Sequence, residues 1–308
     1  MMTESAYHIP ALLNETINGL SIKSDGIYAD VTFGGGGHSR AILSTLGENG
    51  RLLGLDRDSD AMANSPEDER FTFVRSDYRY LTNFARYHGI EKFDGILADL
   101  GVSFHHFDEG SRGFSFRSDA PLDMRMNRSG GKTAAEIVNT YSEEELIRLM
   151  RTFTDLRHPG GVAKAIIAAR AKSPIETTFQ LAETVGKSID PRHEKKDLAQ
   201  IFQALRIETN NEIDSLKAFL LSTLTLLGPG GRLAVLTYHS IEDRLVKNFM
   251  RSGNLEGKEE KDFFGRSSSP WKLITRSPIT ASEEEVETNP RARSAKLRIA
   301  ELIKPSSR

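Results

Sequence analysis

Residues 27–40 read IYADVTFGGGGHSR: an apolar run typical of a β-strand, four consecutive glycines, and the start of a predicted helix near Ser39. A glycine in a regular element costs roughly 0.5–1 kcal/mol relative to alanine, so four together need a reason. They indicate either a slack loop or a backbone that approaches another group very closely. The second interpretation is favoured, because the amides and helix N-terminus of such a turn face the crevice in which doubly wound α/β proteins bind ligands.

Short apolar runs alternate with helical segments on both sides of this turn. Up to residue 101 four runs predict strands, and helix-compatible segments follow the first three: IYADVTF (27–33), RLLGLD (51–56), FTFV (71–74) and FDGILADLG (93–101). The same rhythm returns late in the chain as a helix, a GPGG turn, a strand, a second helix and a last strand, at 216–227, 228–231, 232–238, 240–250 and 295–302. This alternation predicts βαβ units and an α/β fold with a parallel sheet.

Between about Phe107 and Leu205 the strand signals nearly vanish. Ser142 stands three residues before Glu145, a capping-box spacing, and apolar residues follow at helical intervals. Further segments have the same helical texture, namely 162–172, 177–185 and 197–205, whereas 251–270 and 280–294 resemble long surface loops. We therefore predict a discontinuous α/β domain, residues 1–106 and 206–308, split by an all-helical insertion at 107–205.

Composition narrows the class of protein. The chain has 308 residues, a formal net charge of −2 and no cysteine. A nucleic acid would therefore have to bind a local basic patch, and disulfides and thiolate metal sites are excluded. The start MMTESAYHIP lacks the basic-then-apolar order of a signal peptide, and no apolar run reaches the ~18 residues that cross a bilayer. These features predict a cytoplasmic protein with no membrane partner.

The spacing of the glycines distinguishes between nucleotide cofactors. A dinucleotide fingerprint needs GxGxxG, but its sixth position falls on Ser39 or Arg40, so an NAD oxidoreductase is disfavoured. The spacing that fits is D-x-x-x-G-x-G, formed by Asp30, Gly34 and Gly36. It is typical of Rossmann-like methyltransferases that use S-adenosylmethionine, in which the glycines admit the methionine and ribose portion against the backbone.

Residues after the next two strands support a nucleoside cofactor. Asp56 ends the second strand, where an acidic side chain accepts hydrogen bonds from ribose hydroxyls. Alternatively, Asp56 caps the helical segment that begins at Arg57. Asp77 and Tyr78 follow the third strand, where such folds hold adenine, and the ring of Tyr78 either stacks on the base or packs in the core.

Asp99 ends the fourth strand, where methyl donor and target amine meet in amino-methyltransferases. The lone pair of an exocyclic amine on a base is delocalised into the ring, so an oxygen must accept one N–H while other contacts align the nitrogen. Leu-Gly-Val follows Asp99 in place of the Pro-Pro-aromatic frame of those enzymes. Asp99 therefore serves the cofactor's methionine ammonium, the amine, or both, and Asp123 is the second candidate for activating the amine.

Seven stretches resemble the MraW family, the ribosomal RNA small subunit methyltransferases H, from end to end of the chain. Two of them, RGFSFR…PLDMRM (112–126) and NPRARSAKLR (289–298), are not general features of cofactor-binding folds, so the resemblance is specific. The others are HIPALLNE (8–15), DVTFGGGGHS (30–39), DGILADLGVS (94–103), FQALRIETNNE (202–212) and YHSIEDRLVK (238–247).

This resemblance implies a Rossmann-like class I S-adenosylmethionine methyltransferase domain, with the helical insertion over the mouth of the active site. It implies methylation of the N4 amine of a cytidine in the decoding centre of 16S rRNA, within the small ribosomal subunit. By match of position the cofactor contacts carry over to Gly36, Gly37, His38, Asp56, Tyr78 and Asp99.

The chain departs from the family's pattern in two places. Residues 102–106 read VSFHH where the family has a Ser-Ser-x-Gln type sequence, so its last polar cofactor contact maps onto His106. Thr154, Asp155 and Leu156 replace the usual Gly-Glu-Glu of the insertion. The adjacent histidines at 105 and 106 do not predict a metal site, because sequence neighbours rarely share one ion and no second ligand cluster is visible.

Basic residues form three groups, which are either solvated faces or phosphate contacts, and the resemblance favours RNA. The residues predicted to contact RNA are Arg112, Arg117, Arg125 and Arg128 at the start of the insertion, Lys195 and Lys196 near its end, and Arg291 and Arg293 near the C-terminus. Tyr238 or His239, just past a strand end, is also placed to contact a flipped base. Ser240 and Asp243 have the spacing of a plain capping box.

Two alternative functions stay open on the sequence. One is a methyltransferase for another nucleic-acid or small-molecule amine, and the other is a non-catalytic ribosome-assembly factor that binds S-adenosylmethionine. Formation of S-adenosylhomocysteine separates an enzyme from the assembly factor. The sequence leaves monomer and homodimer equally open.

Overall fold

The computed structural model describes residues 10–101, 110–260 and 268–303. The chain divides into two compact units, one made of residues 1–101 and 214–308 and the other of residues 102–213. The second unit extends further than the predicted insertion 107–205, because the helix at its end continues unbroken from Glu194 to Thr209.

The first unit is built on an eight-stranded sheet. Its strands are β1 (Ile27–Asp30), β2 (Arg51–Asp56), β3 (Phe71–Arg75), β4 (Phe93–Asp99), β5 (Leu227–Thr237), β6 (Trp271–Leu273), β7 (Ile279–Thr280) and β8 (Lys296–Leu302). They are ordered β3-β2-β1-β4-β5-β8-β6, and β7 also pairs with β8. Neighbours among β1 to β5 are parallel, whereas β8 is antiparallel to β5. The predicted α/β fold with a parallel sheet is confirmed.

Helices connect these strands and build the second unit. The α-helices of the described residues are α1 (Leu13–Leu20), α2 (Gly37–Thr45), α3 (Leu81–Tyr87), α4 (Ala134–Thr140), α5 (Glu143–Phe153), α6 (Pro159–Arg170), α7 (Thr178–Gly186), α8 (Glu194–Thr209), α9 (Glu212–Leu226), α10 (Ser240–Ser252) and α11 (Glu283–Thr288). Short 3-10 helices lie at Ser59–Asn64, Tyr78–Tyr80, Gly110–Arg112 and Pro290–Ser294. Within the described ranges, no helix has the length and apolar character needed to cross a membrane.

Successive side chains of a strand point to opposite faces of the sheet, and in this sheet both faces are apolar. On one face Leu53 and Leu55 of β2 belong to a cluster that also holds residues of α3, α9 and α10. On the other face Leu52 packs in a cluster with residues of α1 and α2. Burial on both faces explains why the parallel strands appear in the sequence as nearly continuous apolar runs.

The second unit is helical and has its own apolar core, to which residues of α4 to α8 contribute. Capping boxes begin α4, α5 and α7, with Thr133, Ser142 and Thr177 as the capping residues. The box at Ser142 confirms the helix start predicted there. The segment before α4 also belongs to this core, through Leu122 and Met124.

Three predicted boundaries differ from the structure. The strand predicted at 27–33 ends at Asp30, and the rest leads into the glycine loop. Residues 228–231 are not a free turn but an irregular part of β5, where its pairing with β4 shifts register. The predicted loop 280–294 contains α11, because Ser282 accepts a hydrogen bond from the amide of Glu285 and three glutamates occupy the first turn, where the helix dipole favours them.

We predict that Gly95→Ala lowers the free energy of unfolding by about 1–3 kcal/mol, the usual cost of overpacking. Gly95 lies in β4, and a Cβ there would be 2.7 Å from Cε1 of Tyr28, which is fully buried. Urea denaturation followed by circular dichroism measures the change.

Gly160→Ala in α6 is the control for this variant. Its Cβ would meet no atom closer than 3.9 Å, and alanine favours a helix by up to about 1 kcal/mol, so stability is unchanged or increased. A Gly95→Ala protein as stable as the wild type would contradict the packing described around Tyr28.

Candidate active site

Three aspartates lie at one edge of the sheet, because they end neighbouring parallel strands. Asp30 ends β1, Asp56 ends β2 and Asp99 ends β4. Strands β2 and β3 lie on one side of β1, and β4 and β5 lie on the other. Ligands of such sheets bind outside the carboxyl ends of the strands at this switch point. The structure therefore brings together the acidic residues that the sequence placed at separate strand ends.

The glycine loop between β1 and α2 has a defined conformation. Gly34 and Gly36 have φ angles of 50° and 73°, in the left-handed region that favours glycine. A Cβ on Gly37 would lie only 2.3 Å from Cγ of Pro10, whereas a Cβ on Gly35 would meet open space. The slack-loop interpretation is therefore wrong, and Gly35 borders open space.

Side chains from α2 and the 3-10 helix at 59–64 brace this loop. Arg40 donates from Nη2 to the carbonyl of Gly35 and from Nη1 to the carbonyl of Asn64, the latter at 3.1 Å. Nδ2 of Asn64 in turn donates to the carbonyl of Gly34 at 3.0 Å. These bonds fix the loop's carbonyls, so the loop is preorganised.

Asp30 supports the loop from beneath. Its side chain is 1% exposed, Oδ1 accepts the Thr32 amide at 3.2 Å and Oδ2 accepts the Ser39 hydroxyl at 2.7 Å. Burial raises the pKa of Asp30, although nearby His38 and these hydrogen bonds counteract the shift. The structure thus gives Asp30 a supporting role in place of the direct cofactor contact predicted from the sequence.

Asp56 holds the loop from the neighbouring strand. Oδ2 accepts the amide of Gly34 at 2.8 Å, and Oδ1 accepts the amide of Asp58 at 2.8 Å. The capping residue of the following 3-10 helix is Asp58, whose side chain accepts the amide of Asp60. The capping alternative for Asp56 is therefore wrong. A carboxylate oxygen accepts more than one hydrogen bond, so ribose binding by Asp56 stays a prediction.

Tyr78 is a core residue. Its side chain is 8% exposed, and its ring meets the ring of Phe219 edge-on at 5.5 Å. The guanidinium carbon of Arg57 lies 5.3 Å from the centre of the same ring. The packing interpretation therefore fits Tyr78, and the adenine-stacking contact predicted for its ring is corrected. Asp77 caps the 3-10 helix 78–80 and accepts the Ser215 hydroxyl at 3.1 Å.

Asp99 has the most unusual electrostatic environment of the strand-end aspartates. Its side chain is 23% exposed, Oδ1 accepts the Tyr238 hydroxyl at 2.7 Å, and its backbone amide donates to Oγ1 of Thr32 at 2.6 Å. Burial raises the pKa of Asp99 to about 7, the hydrogen bond from Tyr238 opposes this, and the charge of Glu242 adds to it. A carboxyl group that titrates near neutral pH beside a crevice is a candidate functional group.

His38 lies in the first turn of α2, with Nδ1 3.6 Å from Oδ2 of Asp99. Burial lowers the pKa of His38 below its usual value, and the charge of Asp30 offsets this only in part. The imidazole is therefore neutral near pH 7. The cofactor contacts predicted at Gly36, Gly37 and His38 stay predictions, and their place at the N-terminus of α2 beside Asp99 is consistent with them.

One contact of Tyr238 was not predicted from the sequence. Its side chain was considered only as a contact for a flipped base, yet its hydroxyl bonds to Asp99. A signal existed, because Tyr238 follows a predicted strand whose carboxyl end lies at the same sheet edge as Asp99. No spacing rule in the sequence indicated that β5 pairs directly with β4.

His239 caps α10 and is largely buried. Its Nδ1 accepts the amide of Glu242 at 3.5 Å, and its Nε2 lies 2.9 Å from Oε1 of the same residue. The structure assigns this side chain to helix capping, which corrects the predicted RNA contact. The predicted capping pair of Ser240 and Asp243 is also wrong, because Asp243 instead accepts two hydrogen bonds from Arg298 at 2.7 and 3.1 Å.

In the second unit, Asp123 forms a two-point ion pair with Arg125. Nε and Nη2 of Arg125 donate to the two carboxylate oxygens at 2.7 and 2.8 Å. Burial alone would raise the pKa of Asp123, but the hydrogen bonds and charge of Arg125 outweigh it, so the net shift is downward. A carboxylate held ionised by an arginine is a poor proton acceptor, which disfavours Asp123 as the amine-activating group.

Arg112 is not a surface residue. It is 2% exposed, and its Nη2 donates to the carbonyls of Arg125 and Met126 at 3.0 and 3.1 Å. The RNA contact predicted for Arg112 is therefore corrected: this side chain holds the 121–126 segment in place.

The other residues predicted to contact RNA differ in exposure. Lys195 and Lys196 are exposed in the first turn of α8, not in a loop. Exposed or half-buried side chains also occur at Arg117, Arg128, Arg291 and Arg293. RNA contact by these six stays a prediction. His106 and the rest of its departure from the family pattern lie outside the described residues.

Comparison with known proteins gives a consistent result. A model of the MraW methylase family matches residues 5–303. Two similar proteins are both named Ribosomal RNA small subunit methyltransferase H. The one from Parabacteroides distasonis is 56% identical over 301 residues, which cover 97% of this chain and 99% of that protein. The one from Bacteroides thetaiotaomicron is 55% identical over 298 residues, 97% of this chain and 98% of that protein.

One solved structure resembles the chain distantly. An rRNA methylase from Streptococcus thermophilus has a TM-score of 0.39 and 11% identity, over 95% of this chain and 94% of that chain.

We predict that Asp99→Asn stabilises the protein relative to the wild type as the pH rises from 5 to 8. A carboxyl group with a raised pKa contributes stability that is present below about pH 4 and is lost as the pH rises to its folded-state pKa of about 7. Asparagine has no such titration, so the difference in free energy of unfolding should grow by roughly 2–3 kcal/mol across this range, about 1.4 kcal/mol for each of the two pH units between pH 5 and the folded-state pKa. Urea denaturation at both pH values measures it.

Asp243→Asn is the control of opposite sign. The pKa of Asp243 is lowered, since its pair with Arg298 outweighs the effect of burial. The stabilisation by ionised Asp243 is complete above about pH 4. Asp243→Asn should therefore lower the free energy of unfolding by the same amount at pH 5 and at pH 8. If the difference in free energy of unfolding between Asp99→Asn and the wild type stays constant with pH, Asp99 is fully ionised at pH 5 and the prediction is wrong.

Proposed function

Because the chain belongs to the MraW methylase family, we propose that it methylates the N4 amine of a cytidine in the decoding centre of 16S rRNA, with S-adenosylmethionine as the methyl donor. The name shared by its close relatives supports the coarser statement, methylation of small-subunit ribosomal RNA. The cytidine, its N4 atom and its place in the decoding centre are the finer part of the proposal and rest on the resemblance of the sequence motifs to the MraW family.

The crevice suits S-adenosylmethionine. The observation that carries this fit is the contrast within the glycine loop: Gly37 is packed against Pro10, whereas a Cβ on Gly35 would meet open space. Because Gly35 carries no side chain, part of a ligand has room to lie directly against the backbone there. Asp56 would hold the ribose hydroxyls, and the N-terminus of α2 would border the methionine portion.

When bound, S-adenosylmethionine supplies a methyl group on a positively charged sulfur that leaves as a neutral thioether. The amine that takes the methyl group must lose one proton. Oδ2 of Asp99 is the proposed acceptor, since Oδ1 already accepts from Tyr238. A carboxyl group with a pKa of about 7 is suited to take a proton near neutral pH.

Asp99 has a second role open to it, which is to hold the methionine ammonium. We favour this role, because Leu100 and Gly101 follow Asp99 in place of the Pro-Pro-aromatic sequence that positions a base in amino-methyltransferases. The ionised carboxylate is required in both cases. Single-turnover methylation by Asp99→Asn at saturating cofactor separates them: a rate near that of the wild type assigns Asp99 to the ammonium, and a ~10²–10⁴-fold loss assigns it to the amine.

RNA binding is proposed for the exposed basic residues of both units. Arg117, Arg128, Lys195 and Lys196 lie in the second unit, and Arg293 lies in the first. Contacts with phosphates supply affinity without sequence information. They allow a chain with a net charge of −2 to bind RNA through local patches.

The function is tested by incubating small ribosomal subunits from cells that lack this protein with the purified chain and S-adenosylmethionine. Mass spectrometry of the rRNA nucleosides should show N4-methylcytidine, accompanied by an equal amount of S-adenosylhomocysteine. Another methylated nucleoside would contradict the proposed target atom. Binding of S-adenosylmethionine without any S-adenosylhomocysteine would instead favour the assembly-factor alternative.

We predict that Gly35→Ala weakens S-adenosylmethionine binding roughly ten- to hundredfold while leaving the unfolding midpoint unchanged. The added methyl group meets no protein atom within 4 Å, so any cost arises from overlap with the ligand. Isothermal titration calorimetry measures the affinity.

Gly130→Ala is the matched control, because its Cβ also meets nothing within 4 Å and the residue lies in the second unit. It should change neither affinity nor stability. Unchanged affinity in Gly35→Ala would place the cofactor away from the glycine loop.

A further inference from the structure

Tyr238 is linked directly to the group on which both proposed roles depend. It follows β5, and its hydroxyl donates a hydrogen bond to Oδ1 of Asp99 at 2.7 Å. Building on the proposed function, we propose that Tyr238 is a positioning residue that occupies Oδ1, orients the Asp99 carboxylate and leaves Oδ2 as its acceptor for the ligand. Tyr238 acts through Asp99 and need not touch substrate itself.

The tyrosine is held in this position from several sides. Its backbone amide donates to Oε2 of Glu242 at 3.3 Å, in the first turn of α10. A Cβ on Gly101 would lie 3.1 Å from Cδ2 of the ring, so the absence of a side chain after β4 lets the ring approach. The ring also packs against the apolar cluster formed with α1 and α2. Its hydroxyl is therefore presented to Asp99 by fixed neighbours.

Among the described residues, charged and titratable groups from four elements lie around Asp99. Tyr238 comes from the end of β5, His38 from α2, Asp30 from β1 and Glu242 from α10. The charge of Glu242 disfavours ionisation of Asp99, and His38 is neutral because burial lowers its pKa. Among the described residues, the Tyr238 hydroxyl donates a close hydrogen bond to the side chain of Asp99. This hydrogen bond favours the ionised form, so it lowers the pKa of Asp99 and opposes the effect of burial.

This arrangement predicts the direction of a pH effect. Without the hydroxyl, Asp99 would stay protonated to a higher pH, because a hydrogen bond to the charged form favours that form. A single hydrogen bond of this kind corresponds to a shift of roughly one pH unit. The carboxylate needed by the ligand would then be scarce at pH 6 and about half restored at pH 8.

The test is calorimetric binding of S-adenosylmethionine to Tyr238→Phe between pH 5.5 and 8. From a one-unit shift of a group that titrates near pH 7, affinity should fall roughly tenfold at pH 6 and only about twofold at pH 8 relative to the wild type. Titration of the ligand itself is common to both proteins and cancels in the ratio. Phenylalanine keeps the ring, so the packing against Gly101 is preserved.

Tyr141→Phe is the matched control, because its hydroxyl also donates to a carboxylate, Oε1 of Glu208, at 2.8 Å in the second unit. It should leave the pH dependence of cofactor affinity unchanged. In an Asp99→Asn background, Tyr238→Phe should add no further pH dependence. An equal loss at every pH, or an effect that persists in that background, would overturn the proposal and leave Tyr238 a packing residue.

A measurement without ligand keeps the inference separate from the proposed function. In the pH dependence of unfolding, the stability loss linked to Asp99 levels off near pH 7 in the wild type and should continue to about pH 8 in Tyr238→Phe. Coinciding curves would contradict the role of Tyr238 whatever the protein methylates. A shifted curve in a protein that makes no S-adenosylhomocysteine would instead overturn the proposed function alone.

Discussion

The geometry of the crevice depends on the buried carboxylate of Asp30. It joins the end of β1 to the first turn of α2 by accepting from Thr32 and Ser39, across a loop of four glycines. Thr32 then accepts the backbone amide of Asp99, so the same corner is tied to β4. A buried polar group that loses its hydrogen-bond partners is costly, so these bonds together stabilise this corner. The bare backbone of the loop is thereby held in one shape before any ligand arrives.

The environments of four aspartates show how position alone gives one residue type different properties. Asp77, Asp123 and Asp243 each lie beside an arginine and have lowered pKa values, although burial acts against this. Asp99 has Tyr238 as its hydrogen-bond donor and a pKa raised to about 7. The carboxylates of Asp77, Asp123 and Asp243 interact with arginines and help to hold helix ends and turns in place. Asp99 is the one of these four poised to change its protonation state near neutral pH, which suits it to chemistry.

In the second unit, two of the stretches that resemble the MraW family are hydrogen-bonded to each other. Asn210 accepts the amide of Met126 and donates to the carbonyl of Met124, both at 2.8 Å, so the FQALRIETNNE stretch holds the PLDMRM stretch. Arg112 adds its bonds to the same segment. A sequence pattern shows that an arginine is present, but not whether it faces phosphate or satisfies buried carbonyls. This is why the RNA contact predicted for Arg112 was wrong, while the exposed lysines of α8 stay candidates.

The sequence alone determined the local and periodic features: the parallel strands as apolar runs, the capping box at Ser142, and acidic residues at strand ends flanking a glycine turn. These follow from backbone geometry and from burial on both faces of the sheet, which act over a few residues. Only the tertiary structure decided which side chains meet. Asp99 and Tyr238 are 139 residues apart in the chain and come within 2.7 Å because β4 and β5 are neighbours in the sheet. The same holds for Tyr78 against Phe219 and for Asp30 beneath the loop, since burial and partner choice are fixed by packing between distant segments rather than by local sequence.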